Sequence, residues 1–214
     1  MVARTDGMPF PTQAEVNPSL CVSCGICVGA CPSSTPFRRT QDLRTGIDLP
    51  EFSLRELRER VVEVAGTLKG SGRVLVLACE HGAAAGRPEG TVVMPCVAMA
   101  PPSLIDFILS RDLADGVAVA GCAESACYNR LGIKWTQQRF AGERDPYLRA
   151  RVPRERIASI WASALAVSRA DAEITAFAAR LVALPPKRLR SPLPVSASSP
   201  PAKVREPVVS GSEP

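Results

Sequence analysis

The residues that can do chemistry in this chain are its cysteines. Cys21, Cys24, Cys27 and Cys31 stand in the run CVSCGICVGACP, spaced by two, two and three residues, with Pro32 directly behind them. Short loops carrying Gly25 and Gly29 let the backbone curl around an inorganic core. Several thiolates then converge from one side, while peptide N–H groups stay free to bond the sulfides. Thiolate is the soft ligand that iron–sulfur clusters need, and this spacing with a trailing proline suits a [4Fe–4S] cluster. Zinc is the alternative occupant. Two overlapping Cys-x-x-Cys pairs without a surrounding βαβ pattern do not fit a dithiol redox motif. Since the chain has one such run, Cys31 is expected to close the same cluster; the alternative is a fourth ligand from elsewhere, such as another chain.

The other four cysteines, Cys79, Cys96, Cys122 and Cys127, are separated by up to 48 residues. Their positions relative to the apolar runs are what matters. RVLVLAC (73–79), TVVMPC (91–96) and GVAVAGC (116–122) each read as a short buried strand ending in cysteine, and Cys127 follows five residues later. In a parallel sheet all strand carboxyl ends lie at one edge, where open α/β folds bind ligands. Four distant thiols are therefore expected at a common rim, as metal ligands rather than as small buried hydrophobes. A Rieske centre needs two histidines and His81 is the only one. Zinc held by four cysteines fits the ligand types.

The elements that must place these thiols follow from periodicity and punctuation. Ser53 and Glu56 stand at capping-box spacing ahead of an apolar stripe at Leu54, Leu57, Val61, Val64 and Leu68, and Gly70-Ser71-Gly72 stops that helix. A helix is expected from Pro101 to Leu113 with Ser103 and Asp106 as its capping pair. A polar helical stretch is expected over Lys134 to Phe140, and a strand over RIASIWA (156–162). The last helix should be capped by Ser168 and Asp171 and turn Ile174, Phe177, Leu181 and Leu184 to one side. Continuous apolar strands separated by helices predict an α/β fold, a small parallel sheet with flanking helices. The expected organisation is a ferredoxin-type segment and linker at 1–50, an α/β iron–sulfur domain at 51–184, and a disordered tail at 185–214. That tail holds eight prolines and a net charge of +3, too little apolar material to build a core.

Composition narrows the function classes. The chain has 214 residues, 46% hydrophobic and 22% charged, which suits one or two small globular domains. Of the formal net charge of +5, only +2 falls outside the tail, a poor basis for nucleic-acid binding. No apolar run approaches a membrane span, and MVARTDGMPFPTQ shows no secretory leader, so a cytoplasmic location with reduced thiols is expected. No phosphate loop, dinucleotide fingerprint, HExxH or hydrolytic triad is present. His81 and Tyr128, near the second thiol set, read as a solvent-facing loop histidine and a packed tyrosine, with a hydrogen bond to cluster sulfur as the alternative. Lys134 and Arg139 read as a solvated helix face, with charge balance for a cluster as the alternative.

Two resemblances sharpen this. The first cysteine run resembles bacterial-type ferredoxins. The stretch LADGVAVAGCAESACYNRLGIKWTQQR (113–139) resembles the delta subunit of methyl-viologen-reducing hydrogenase and related iron–sulfur subunits of heterodisulfide-reductase complexes. Ala114-Asp115-Gly116-Val117, Gly121-Cys122, Cys127, Gly132 and Arg139 carry the likeness, which runs from about Val74 to Leu184. Departures are Gly82 where the family often has a second cysteine, Tyr128-Asn129 where it has His-Tyr, Ile133 where it has Asn, and no glycine near Cys96. The resemblance implies a [2Fe–2S] cluster held by Cys79, Cys96, Cys122 and Cys127. The expected function is an electron-transfer subunit relaying electrons between the [4Fe–4S] and [2Fe–2S] clusters, held apart by the helix from Ser53, rather than a catalytic subunit. The expected partners are a flavin-containing, heterodisulfide-reductase-like subunit and a hydrogenase or other dehydrogenase, with no nucleic acid and no membrane insertion. The alternative function is a zinc-stabilised interaction or regulatory module; a small reductase in its own right lacks a flavin or nicotinamide motif.

Overall fold

Two six-residue runs, Val74–Cys79 (β3) and Gly116–Gly121 (β5), are buried along their whole length, and they lie side by side as the central strands of the sheet. Thr91–Met94 (β4) pairs with β3 on one side and Ile157–Trp161 (β6) with β5 on the other. All pairings are parallel, and the order is β4-β3-β5-β6. The chain runs from β3 outward to β4, then crosses back over β3 to β5. The direction of winding reverses between β3 and β5, which is where ligands sit in doubly wound sheets. The computed structural model describes residues 2–3, 11–31 and 47–185. The expected tail beyond residue 185 and most of the expected linker fall outside these.

Side-chain alternation splits the sheet into two unlike faces. Leu75, Leu77, Val117 and Val119 face the larger core, together with Leu54, Leu57 and Val61 of Leu54–Thr67 (α2) and Leu104, Ile105 and Ile108 of Pro102–Ser110 (α3). Val76, Ala78, Ala118 and Ala120 face the other way, against Ala170, Ile174, Phe177 and Leu181 of Val167–Val182 (α5). Gly132–Ala141 (α4) completes the first face through Ile133. Val2–Ala3 (β1) and Thr12–Gln13 (β2) form a separate antiparallel ladder, and Ile26–Ala30 (α1) is a single short turn of helix inside the first cysteine run.

The Ser53 cap forms as expected: its hydroxyl accepts from the Glu56 N–H at 3.0 Å. The other two expected caps do not. α3 begins at Pro102, a residue whose fixed φ suits the first helical position, and Asp106 lies mid-helix in ion pairs with Arg149 and Arg151. α5 begins at Val167, so Ser168 is already helical, and Asp171 pairs with Arg87 at 2.9 Å. β4 ends at Met94, two residues before Cys96, because Pro95 offers no N–H to a ladder.

Candidate metal centres

The second thiol set is gathered at the carboxyl edge of the sheet. Cys79 closes β3 and Cys122 follows β5; these strands flank the point where the winding reverses, and the two sulfurs are 3.7 Å apart. A tetrahedral ion with bonds of about 2.3 Å to thiolate sets two of its sulfurs about 3.8 Å apart, so this pair already has the edge length of a shared metal. Cys96 and Cys127 form a second pair around Gly132, the first residue of α4. A Cβ on Gly132 would overlap the Cys96 sulfur and lie 3.5 Å from that of Cys127. The two pairs are neighbours, since Cys96 acts electrostatically on Cys79. Among the described residues no three Cys, His, Asp or Glu side chains close around a single point.

Burial keeps the Cys79 and Cys96 thiols protonated. It pushes Cys79 well above the ordinary 9.0, an effect that the His81 backbone N–H opposes and the Cys122 and Cys96 sulfurs reinforce. Burial also pushes Cys96 up to about 11, while the Ala98 backbone N–H and the Asn129 side chain, both donating to its sulfur, oppose the rise. Groups that will bond a thiolate are therefore in place, but a positive ion must displace the protons. The His81 ring does not take this part. It pairs with Glu80 at 3.3 Å and lies against the Tyr128 ring, centroids 3.9 Å apart.

In the first set, Ser23 and Gly25 adopt positive φ, which bends the chain around the Cys21–Cys24 stretch, and the Ser23 N–H reaches the Cys21 sulfur at 3.3 Å. Desolvation raises Cys27, the Val28 N–H lowers it, and the Cys24 and Cys21 sulfurs raise it further. Cys31 follows α1 as its C-terminal cap.

The two sets are in contact through backbone. α1 sits on the short turn Val97–Met99 that follows Cys96. A Cβ on Gly29 would overlap the Ala98 carbonyl oxygen, and one on Gly25 would come within 2.7 Å of the Met99 side chain. Cys24, just before Gly25, also acts electrostatically on Cys96. The spacer expected from α2 is replaced by direct packing of α1 on this turn.

Four groups escaped the sequence reading: Asn129, the Ala98 N–H, the room that Gly132 leaves, and the burial of Arg139. Arg139 belongs to no solvated face. It is 1% exposed and donates through Nη1 to the Ala98 carbonyl at 2.9 Å. The available signal was its register, since Gly132, Thr136 and Arg139 follow the four- and three-residue steps of one buried helix face.

Thiols collected at the switch point of a doubly wound parallel sheet, beside a second tight cysteine run, define a metal–thiolate protein. Residues 14–35 match the family described as 4Fe-4S binding domain, and residues 86–185 match the family described as methyl-viologen-reducing hydrogenase, delta subunit. The first range contains Cys21, Cys24, Cys27 and Cys31; the second contains Cys96, Cys122 and Cys127, with Cys79 just upstream. No curated protein and no solved structure matches the chain. The two matched ranges support an iron–sulfur electron-transfer protein of the hydrogenase-subunit type. No described helix is long and apolar enough to cross a membrane.

Proposed function

We propose that the chain is an electron-transfer subunit of a larger oxidoreductase complex. It relays electrons between a [4Fe–4S] centre on Cys21, Cys24, Cys27 and Cys31 and a [2Fe–2S] centre on Cys79, Cys96, Cys122 and Cys127. The observation that carries this reading is the seat of α1 on the Val97–Met99 turn, which makes the two thiol sets neighbours. The 3.7 Å approach of the Cys79 and Cys122 sulfurs supports a metal ion shared by that pair, and the family likeness makes the centre a [2Fe–2S] cluster. When bound, each cluster supplies one-electron exchange at a potential set by charge, hydrogen bonds and exposure. The chain's own part is to hold the thiols, to aim the His81, Ala98 and Asn129 donors at them, and to keep water from the inner set.

Exposure supports a direction of contact. Cys27 is exposed, and Leu20 and Val22, beside Cys21, are 82% and 81% exposed. The first set thus faces a redox partner, while Cys79, Cys96 and Cys122 of the second are buried and Cys127 is half-buried. By the family likeness, the partners are a hydrogenase or other dehydrogenase and a flavin-containing, heterodisulfide-reductase-like subunit, in the cytoplasm.

The test is anaerobic purification with iron and acid-labile sulfide analysis, followed by electron paramagnetic resonance of the reduced protein. The relay predicts a brown protein with about six irons per chain. Cys24→Ala should erase one spectral species and Cys122→Ala the other. A colourless zinc protein, or loss of all signal from either change alone, would overturn the two-centre reading.

A further inference from the structure

Among the described residues Arg139 heads the fully buried side chains by volume, and its Nε and Nη2 have no hydrogen-bond partner there. Among the described residues no carboxylate pairs with it. The charged groups acting on it are Arg144, which disfavours its charge, and Cys96, which favours it once ionised. Burial lowers its pKa only to about 10, so it remains a cation at neutral pH. Among the described residues its one side-chain partner is the Ala98 carbonyl, two residues beyond Cys96. That same carbonyl is the surface on which Gly29 of α1 rests.

An unpaired cation in an interior costs several kcal/mol, and folds retain one where an opposite charge meets it. Neutral thiols provide none. Thiolates around iron do, because the assembled centre is a net anion that becomes more negative on reduction. Lys134, two residues into the same helix, is exposed and cannot take this part.

We propose that Arg139 is the buried counter-charge of the Cys79–Cys96–Cys122–Cys127 centre, a positioning residue that holds its reduction potential up and pins the Ala98 turn against it. This rests on the two-centre reading above. The guanidinium touches no proposed ligand in a bonding sense; it acts through its charge and through the Ala98 carbonyl.

The experiment is a redox titration of the full chain with both centres loaded, followed by electron paramagnetic resonance, for Arg139→Gln and Arg139→Lys. Gln keeps a donor for the Ala98 carbonyl and drops the charge; Lys keeps the charge and drops the planar fork. Gln is expected to lower the reduction equilibrium constant of the second centre about tenfold, a shift of about 59 mV to more negative potential for a one-electron couple. Lys should stay near the wild-type value, and the first centre should move less than the second in both. An unchanged potential in Gln, or equal shifts in Gln and Lys, overturns the assignment. Failure of Gln alone to hold the second centre, with the first intact and Lys loaded, upholds it; failure of both variants alike assigns the residue to packing and overturns it. Should Gln lose both centres, a wild-type potential in Lys upholds the role and a tenfold shift in Lys overturns it. Absence of iron–sulfur signals from the wild-type chain is a different result, which removes the two-centre reading itself.

Discussion

A methyl group added at Gly132 would lie 2.4 Å from the Cys96 sulfur, inside contact distance, with the Cys127 sulfur 3.5 Å away. The cost of overpacking such a spot is about 1–3 kcal/mol, and here it falls on Cys96, a proposed ligand, with the Cys127 sulfur in ordinary contact beside it. Gly132→Ala is therefore expected to leave a folded chain that holds the first centre and loses the second. Iron would drop from about six to about four per chain, with the fast-relaxing [4Fe–4S] species retained. Six irons in that variant would mean the sulfur pair can shift without loss, and that Gly132 plays no part. The sequence placed Gly132 in a recognisable stretch but offered no reason for it. The reason is a contact between residues 36 positions apart, Cys96 and Gly132, which no local pattern encodes. Asn129 escaped for the same cause: its amide meets the Cys96 sulfur across the rim.

Elements form where local chemistry agrees with tertiary demand. At Ser53 it does, since the hydroxyl and the Glu56 N–H need nothing beyond four consecutive residues. At Asp106 and Asp171 it does not. Arginines far along the chain take both carboxylates, and Pro102 and Val167 open their helices earlier than the capping pattern implies. The strands were legible because continuous apolar runs mark buried parallel strands; their order was not, because it depends on which side of β3 each crossover lands. α1 shows the same division. Its cysteine spacing announces a cluster, yet only the fold shows that it lies on the Val97–Met99 turn with no spacer helix between. Gly29 is the contact point, and a larger side chain there must push α1 off the Ala98 carbonyl. Gly29→Val is expected to load both centres while weakening their communication. The measurement is the spin–spin broadening between the two reduced species, which should narrow toward the spectra of the single-centre variants. Unchanged broadening would show that the centres communicate by another route.

At the scale of the whole molecule, function and support lie on different sides of the sheet. The thiol rim, α1 and α4 occupy the carboxyl edge and the first face, while α5 covers the second face with Ala170, Ile174, Phe177 and Leu181 and ties to it through the Asp171–Arg87 pair. The opposite edge is fastened by ion pairs: Arg73 grips Asp112 and Asp115 at 2.8 and 3.0 Å, and buried Arg156 donates to the Asp115 carbonyl at 2.9 Å. Phe177, 1% exposed on α5, packs over Gly116 at the start of β5, as far along that strand as possible from Cys122. Truncating such a residue costs about 3–5 kcal/mol, and a body of this size loses roughly 2–4 °C of melting temperature per kcal/mol. If the second face is scaffold alone, Phe177→Ala should lower the melting temperature by that margin yet leave the iron content, both spectral species and their potentials as in the parent at low temperature. A selective loss of the second centre in a still-folded Phe177→Ala chain would show instead that the position of β5 is set from both faces. Cys122, carried on the end of that strand, would then depend on α5 for its 3.7 Å approach to Cys79. The division of labour between the faces is thus tested by whether stability and cluster retention fall together or apart.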